Sequence, residues 1–118
     1  MLINSLNEKN KSSLLIYIKY LKLIYFTNDI LQKYPKSEKF ALVKEIKNTL
    51  YNGLCSLMYA IKTNNEQEKT KYLSEFDLTI NLLKKHIALS YRYKYINLQN
   101  YTIWYTLVKT ICQIISKK

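Results

Sequence analysis

One glycine and one proline in 118 residues leave this chain almost no means of turning sharply. A strand-rich fold of this size needs a turn signal about every 8–12 residues, and Gly53 and Pro35 cannot supply them. Helices, which need a break only at their ends, are what remains. Apolar residues make up 48% of the chain and charged residues 23%. That is enough hydrophobic surface to bury a core, and it lies outside the low-hydrophobicity class that stays disordered. The length is that of a single domain.

Four periodic segments account for most of the chain. The first, about residues 12–33, places Leu14, Ile18, Leu21 and Tyr25 at helical spacing, with Ser12 or Ser13 as its N-cap. Residues 1–11 are expected to be flexible. Its polar side, Lys19, Lys22, Asp29 and Lys33, is thin. Pro35 ends it, because proline disfavours helical geometry in the residue before it. Ser37 is then expected to cap a second helix over 38–62, with a seam of Val43, Ile46, Leu50, Leu54, Leu57 and Ile61. Gly53 inside that helix costs about 1 kcal/mol relative to Ala, which implies that a neighbouring group comes close to it.

A third helix over 66–94 carries Leu73, Phe76, Ile80, Leu83 and Ile87, with Leu78, Leu82 and Leu89 on an adjacent face. Glu66 and Glu68 in its first turn suit the positive end of the helix dipole. The fourth, 97–117, has Asn97 as cap and Leu98, Tyr101, Tyr105, Val108, Cys112 and Ile115 as seam, with Trp104, Leu107, Ile111 and Ile114 as a second stripe. Short connections force neighbours to be antiparallel, so the expected fold is all-α, an up-down-up-down four-helix bundle. Helices 1 and 4 carry more apolar surface than one core-facing stripe uses. Wide core faces with some surface tyrosine would account for that excess; the expectation preferred here is a second buried interface, hence a homo-oligomer.

The formal charge is +11 and the pI about 9.6, a field that attracts phosphate polymers or anionic lipid. Catalysis is poorly provisioned, since one imidazole and eight scattered carboxylates give few ways to build a nucleophile, base and orienter. No enzyme is expected. His86 has Leu83 and Leu82 three and four residues before it, so the Glu-x-x-His pair of a di-iron bundle is missing; it reads as a surface or boundary histidine. Cys55 and Cys112 fit neither a zinc spacing nor a redox pair and read as reduced, buried small hydrophobes. No metal, cofactor or Gly-rich phosphate loop is expected. The most apolar run, Leu14 to Phe26, holds two lysines in thirteen residues, short of the roughly 20 that span a bilayer. With no signal-peptide pattern at the N-terminus, a cytoplasmic location is expected.

Cations carry the remaining signal. Lys44 and Lys47 lie off the seam of helix 2; Lys84, Lys85, Arg92 and Lys94 cluster toward the end of helix 3; Lys109, Lys117 and Lys118 lie on helix 4. Lys85 and Arg92, two turns apart, share a face. Such side chains neutralise phosphates without reading sequence, and Tyr91, Tyr93 and Tyr95 are close enough in sequence to stack on unpaired bases. The competing reading is a solvated face whose tyrosines pack under neighbouring loops.

Tyr34-Pro35-Lys36-Ser37-Glu38-Lys39-Phe40-Ala41-Leu42 resembles the Phe-Pro-Lys-x-Glu-Lys-Phe-x-Leu signature at the first turn of a bacterial family of four-helix bundles. That family includes Avd, the accessory variability determinant of diversity-generating retroelements, and the proteins encoded by intervening sequences of 23S ribosomal RNA genes. The resemblance continues through Glu45-Ile46-Lys47-Asn48-Thr49 and Tyr95-Ile96-Asn97-Leu98-Gln99-Asn100-Tyr101, and covers about residues 12–116. It implies a basic, pentameric, barrel-shaped assembly that binds nucleic acid and, in Avd, partners the reverse transcriptase during error-prone copying of template RNA into cDNA. The implied role is a noncatalytic scaffold. Lys44 and Lys47 match positions commonly basic in the family's second helix. Where the family often ends its last helix with a Gly-Gly-Trp type segment, this chain has Ile111-Cys112-Gln113-Ile114-Ile115. Tyr93-Lys94-Tyr95-Ile96-Asn97-Leu98 after helix 3 is more similar to Avd. The expected partners are therefore RNA, with DNA as an alternative, a reverse transcriptase and four further copies of the chain. The alternatives are an RNA-binding protein tied to a ribosomal intervening sequence, or a structural oligomer whose charge only prevents aggregation.

Overall fold

The computed structural model describes the backbone of residues 2–116 and the side chains of residues 12–116. It contains α1 (Leu2–Leu31), a 3-10 turn (Lys36–Glu38), α2 (Leu42–Lys62), α3 (Glu66–Arg92) and α4 (Leu98–Ser116), with no strand among the described residues. The chain is a four-helix bundle. Each helix packs on the next and α4 closes against α1, α2–α3 being the tightest pair and α1–α2 the loosest. Side-chain pairs such as Thr49 with His86 and Ser56 with Glu75 run in opposite directions along α2 and α3, which makes them antiparallel.

Two starts differ from the sequence expectation. α1 begins at Leu2, so the segment expected to be flexible is helical from that residue on, and Ser12 and Ser13 lie inside the helix. No proline or glycine precedes them to stop it. α2 begins at Leu42 rather than at 38, and Ser37 does not cap it. Lys36–Glu38 form the 3-10 turn, Ala41 takes the N-cap position without a side-chain cap bond, and the Glu38 carboxylate accepts from the Leu42 N–H at 3.4 Å.

The other ends follow ordinary capping chemistry. The Asn65 side chain accepts from the N–H groups of Gln67 and Glu68 at 2.9 and 3.1 Å, satisfying two otherwise unpaired donors of α3. Asn97 satisfies one such donor of α4, accepting from the Asn100 N–H at 2.7 Å. α3 stops at Arg92 in a Schellman motif. The Tyr95 N–H reaches back to the Ser90 carbonyl at 2.9 Å and the Lys94 N–H to that of Tyr91 at 3.0 Å. Lys94 takes the left-handed position, φ 64°, where glycine or asparagine is usual.

The core seams of α2 and α3 fall largely as the spacing implies: Val43, Ile46, Leu50 and Leu57 meet Phe76, Ile80, Leu83 and Ile87, all buried, whereas Leu54 and Leu73 of the expected seams are half-buried and Ile61, in the last turn of α2, is exposed. Gly53 is where three helices converge. A Cβ there would run into the Tyr20 hydroxyl of α1 and come within 2.5 Å of the Thr79 methyl of α3.

The seams of α1 and α4 differ. On α1 the buried face is Ile16, Tyr20, Leu23, Ile24, Thr27, Ile30 and Leu31, whereas Leu14, Ile18 and Tyr25 are 57%, 44% and 66% exposed. On α4 the centre is Trp104, Val108 and Ile111, drawn mainly from the second stripe. Polar atoms decide between the stripes. The Tyr20 hydroxyl donates to the Leu50 carbonyl at 2.6 Å and the Trp104 indole N–H to the Thr27 hydroxyl at 2.9 Å, so each large amphipathic ring can be buried with its polar atom paired. Cys112 is half-buried, but Cys55 is exposed, set on the outer side of α2 between buried Gly53 and Leu57.

Candidate nucleic-acid interface

The antiparallel topology puts the α1–α2 turn and the α3–α4 turn at the same end of the bundle. Their contact is aromatic: Tyr34 and Tyr95 lie with ring centroids 5.4 Å apart, and Tyr93 follows Tyr95 at 5.9 Å. Burial pushes the Tyr34 phenol up to about 12. The Tyr95 phenol is held above the ordinary tyrosine value by its partial burial first and then by the neighbouring Glu38 charge. Glu38 thus reaches the first N–H of α2 and places its charge beside the other turn. Its place in the Pro-Lys-Ser-Glu-Lys-Phe segment is architectural.

Cations gather at this end. The acidic residues of α3, Glu66, Glu68, Glu75 and Asp77, all lie in its first half, while Lys84, Lys85 and Arg92 lie in its second. Lys85 and Arg92 are brought together on the outside of α3, flanking an open groove floored by Ala88, Leu89 and Tyr91. Lys84 is half-buried and does not line that groove. Lys94 is exposed at the left-handed position just beyond.

Lys44 and Lys47 are exposed on α2 but belong to a different face. Lys47 lines a second groove, between α1 and α2, together with Lys36 and Lys39 of the turn. Lys44 lies one helical turn from Lys47. The six expected site residues therefore divide between two faces that share one end of the bundle. Lys36 and Lys39 were not among them, although they lie within the turn signature. Lys109 is exposed on α4 beside Cys112 and Gln113, and Lys117 and Lys118 lie outside the described residues.

The tyrosines divide between the two readings considered for them. Tyr91 packs on Tyr101 at 4.7 Å and Tyr101 on Tyr105 at 5.8 Å, a ladder joining α3 to α4. Tyr95 is half-buried, yet Tyr91 and Tyr93 keep 41% and 56% of their surface exposed beside Arg92 and Lys94.

His86 is half-buried between α2 and α3, its Nε2 3.4 Å from the Thr49 hydroxyl. Burial lowers its pKa, and Glu45 partly opposes the shift. Its Nδ1 is buried without a partner, so it is a boundary histidine held neutral. Among the described residues no group of three or more His, Cys, Asp or Glu is placed to hold a metal ion, and no helix is long and apolar enough to cross a membrane.

Fold and site together define a basic all-α bundle that concentrates cations and exposed aromatic rings at one end. A family model described as bAvd-like matches residues 14–117, and the chain belongs to that family. The match covers nearly the whole stretch over which the turn signatures resemble Avd. No curated protein matches the chain.

Proposed function

We propose that this protein is a noncatalytic, nucleic-acid-binding accessory subunit of a diversity-generating retroelement, engaging template RNA and the reverse transcriptase to support mutagenic cDNA synthesis. The observation that carries the reading is the basic, aromatic end of the bundle in a chain of the bAvd-like family. Lys85, Arg92 and Lys94, with Lys84 behind them, neutralise phosphates there, and Tyr91 and Tyr93 stand beside them. The working unit is a homopentamer. In support, α1 turns a stripe of Leu14, Ile18 and Tyr25 outward at the spacing of a second helix-packing face, more apolar surface than a lone bundle leaves in water without use.

The test is purification of the tagged protein from its native host at moderate salt, with sequencing of the RNA and identification of the proteins recovered. Template-repeat RNA together with a reverse transcriptase is the expected result. Ribosomal RNA alone would move the protein to the intervening-sequence branch, and neither would leave a structural oligomer. In vitro, replacing Lys84, Lys85, Arg92 and Lys94 by Glu is expected to abolish RNA binding and leave the helical circular-dichroism signal intact. Unchanged affinity would refute the phosphate-contact role of this end.

A further inference from the structure

The groove between α1 and α2 is the second concentration of charge on the molecule. It opens because these helices are the most loosely packed neighbours in the bundle. Its space of about 420 Å³ falls within the range of small-ligand sites, about 300–1,000 Å³. Three lysines line it, Lys36 from the 3-10 turn, Lys39 just after that turn with its ammonium 5.6 Å from the neighbouring Phe40 ring, and Lys47 from α2, and among the described residues no carboxylate does. Uncompensated like charges gathered in one concavity repel one another and are relieved by a polyanion.

The far wall is an aromatic ring. Tyr51 is 44% exposed in the groove, and the Asn28 side-chain amide donates to its hydroxyl at 3.1 Å. That hydrogen bond fixes the ring before any ligand arrives, so little side-chain freedom is lost on binding. Cations on one side and a held aromatic face on the other match a nucleotide with its base unstacked: phosphate to the lysines, base against the ring. A duplex keeps its bases stacked and satisfies only the cations.

We infer that the α1–α2 groove seats an unpaired nucleotide of bound RNA, with Lys36, Lys39 and Lys47 neutralising backbone phosphate and Tyr51 stacking on a base. This rests on the nucleic-acid-binding reading above and adds to it a second contact, on a different face from the α3 cluster, that distinguishes single strands from duplex. An RNA strand passing across the shared end of the bundle meets both faces.

The experiment is fluorescence anisotropy on the full chain with a labelled oligouridylate of about twelve nucleotides, a length within the known range of single-strand sites, and an RNA duplex of equal length. Tyr51→Leu is expected to weaken oligouridylate binding about tenfold, the scale of one lost base stack, and to leave duplex binding unchanged. Tyr51→Phe, which keeps the ring and loses the hydroxyl, retains most of the affinity and guards against misfolding as the cause. Joint replacement of Lys36, Lys39 and Lys47 by Gln weakens both ligands and lowers the slope of log affinity against log salt for the single strand by about 2. Equal losses of single strand and duplex in Tyr51→Leu would overturn the base contact. Wild-type affinity in all the groove variants, with loss in a Lys85→Glu, Arg92→Glu protein, would overturn the groove and leave the broader reading standing. A wild-type chain that binds no RNA would refute both.

Discussion

Gly53 provides the sharpest test of the packing on which both faces depend. Replacing it by alanine in an exposed helix would stabilise by about 1 kcal/mol through backbone propensity. Here the new methyl group would run into the Tyr20 hydroxyl and come within 2.5 Å of the Thr79 methyl, contacts too short to survive. Either the core is overpacked, at a cost of about 1–3 kcal/mol, or Tyr20 moves off the Leu50 carbonyl that it bonds at 2.6 Å and leaves a buried donor unpaired, at a similar cost of about 1–3 kcal/mol. The net expectation for Gly53→Ala is destabilisation by up to about 2 kcal/mol, centred near about 1 kcal/mol. At fixed protein concentration, urea unfolding followed by circular dichroism should show a midpoint lower by about 1 M with unchanged slope. The second arm is Tyr20→Phe, which removes the obstructing oxygen and on its own costs about 1 kcal/mol through the lost hydrogen bond. In that background Gly53→Ala should cost less, with a coupling of about 1 kcal/mol. A single Gly53→Ala protein more stable than wild type, or strict additivity of the two changes, would refute the reasoning.

Thr27→Val keeps the side-chain shape but leaves the fully buried Trp104 indole N–H without its acceptor, and should cost about 1–3 kcal/mol in urea unfolding. Lys94→Gly should stabilise by about 1 kcal/mol, because Lys94 is held at φ 64° where a side chain costs about that much; Lys94→Ala, at the same φ, should give no such gain. The His86 pKa is lowered in the fold by burial, so the unfolded chain binds its proton first as pH falls. Stability from this group is full above the ordinary histidine value near 6.5 and is lost as pH drops through the folded value. Melting temperature should accordingly fall more between pH 7.5 and 5.5 in wild type than in His86→Gln, and equal falls would exclude His86 as a source of the pH dependence.

Helix number, order and most breaks were legible because they rest on local signals. Asn65 and Asn97 cap through their own side chains, and Gly53 marked a close approach from its helix propensity alone. The seam of α1 was not legible. That helix carries apolar residues on two faces, and periodicity registers both Leu14-Ile18-Leu21-Tyr25 and Ile16-Tyr20-Leu23-Thr27 without ranking them. The second set includes a tyrosine and a threonine, which a hydrophobicity count marks down. In the fold those two polar atoms bond Leu50 and Trp104 across the core, information held in α2 and α4. The start of α2 failed for a related reason: Ser37 has the chemistry of a cap, but it falls inside the 3-10 turn, which moves the helix start to Leu42, where Glu38 accepts from the first N–H.

The site was legible as a composition and not as a shape. Six cations stand out along the chain, but a helix offers a different face every residue, and the fold sends Lys85 and Arg92 one way and Lys47 another. What joins them is topology. In an up-down-up-down bundle the first and third turns must lie at one end, so a motif in the first turn and a cationic run before the third are spatial neighbours although they are more than 40 residues apart. Tyr34 against Tyr95, with the Glu38 charge beside the latter, is the physical form of that rule here. Applied to the sequence, the same rule would have drawn Lys36 and Lys39 into the site, since both lie in the first turn. The turn signature therefore has two separable parts: Pro35 and Glu38 build the end of the bundle, and the lysines beside them charge it. Glu38→Gln should on this account lower stability with little effect on RNA affinity, whereas Lys36→Gln with Lys39→Gln should lower affinity at unchanged stability. If both pairs of readouts moved together in either variant, the division of the signature into a structural and a ligand-facing part would be wrong.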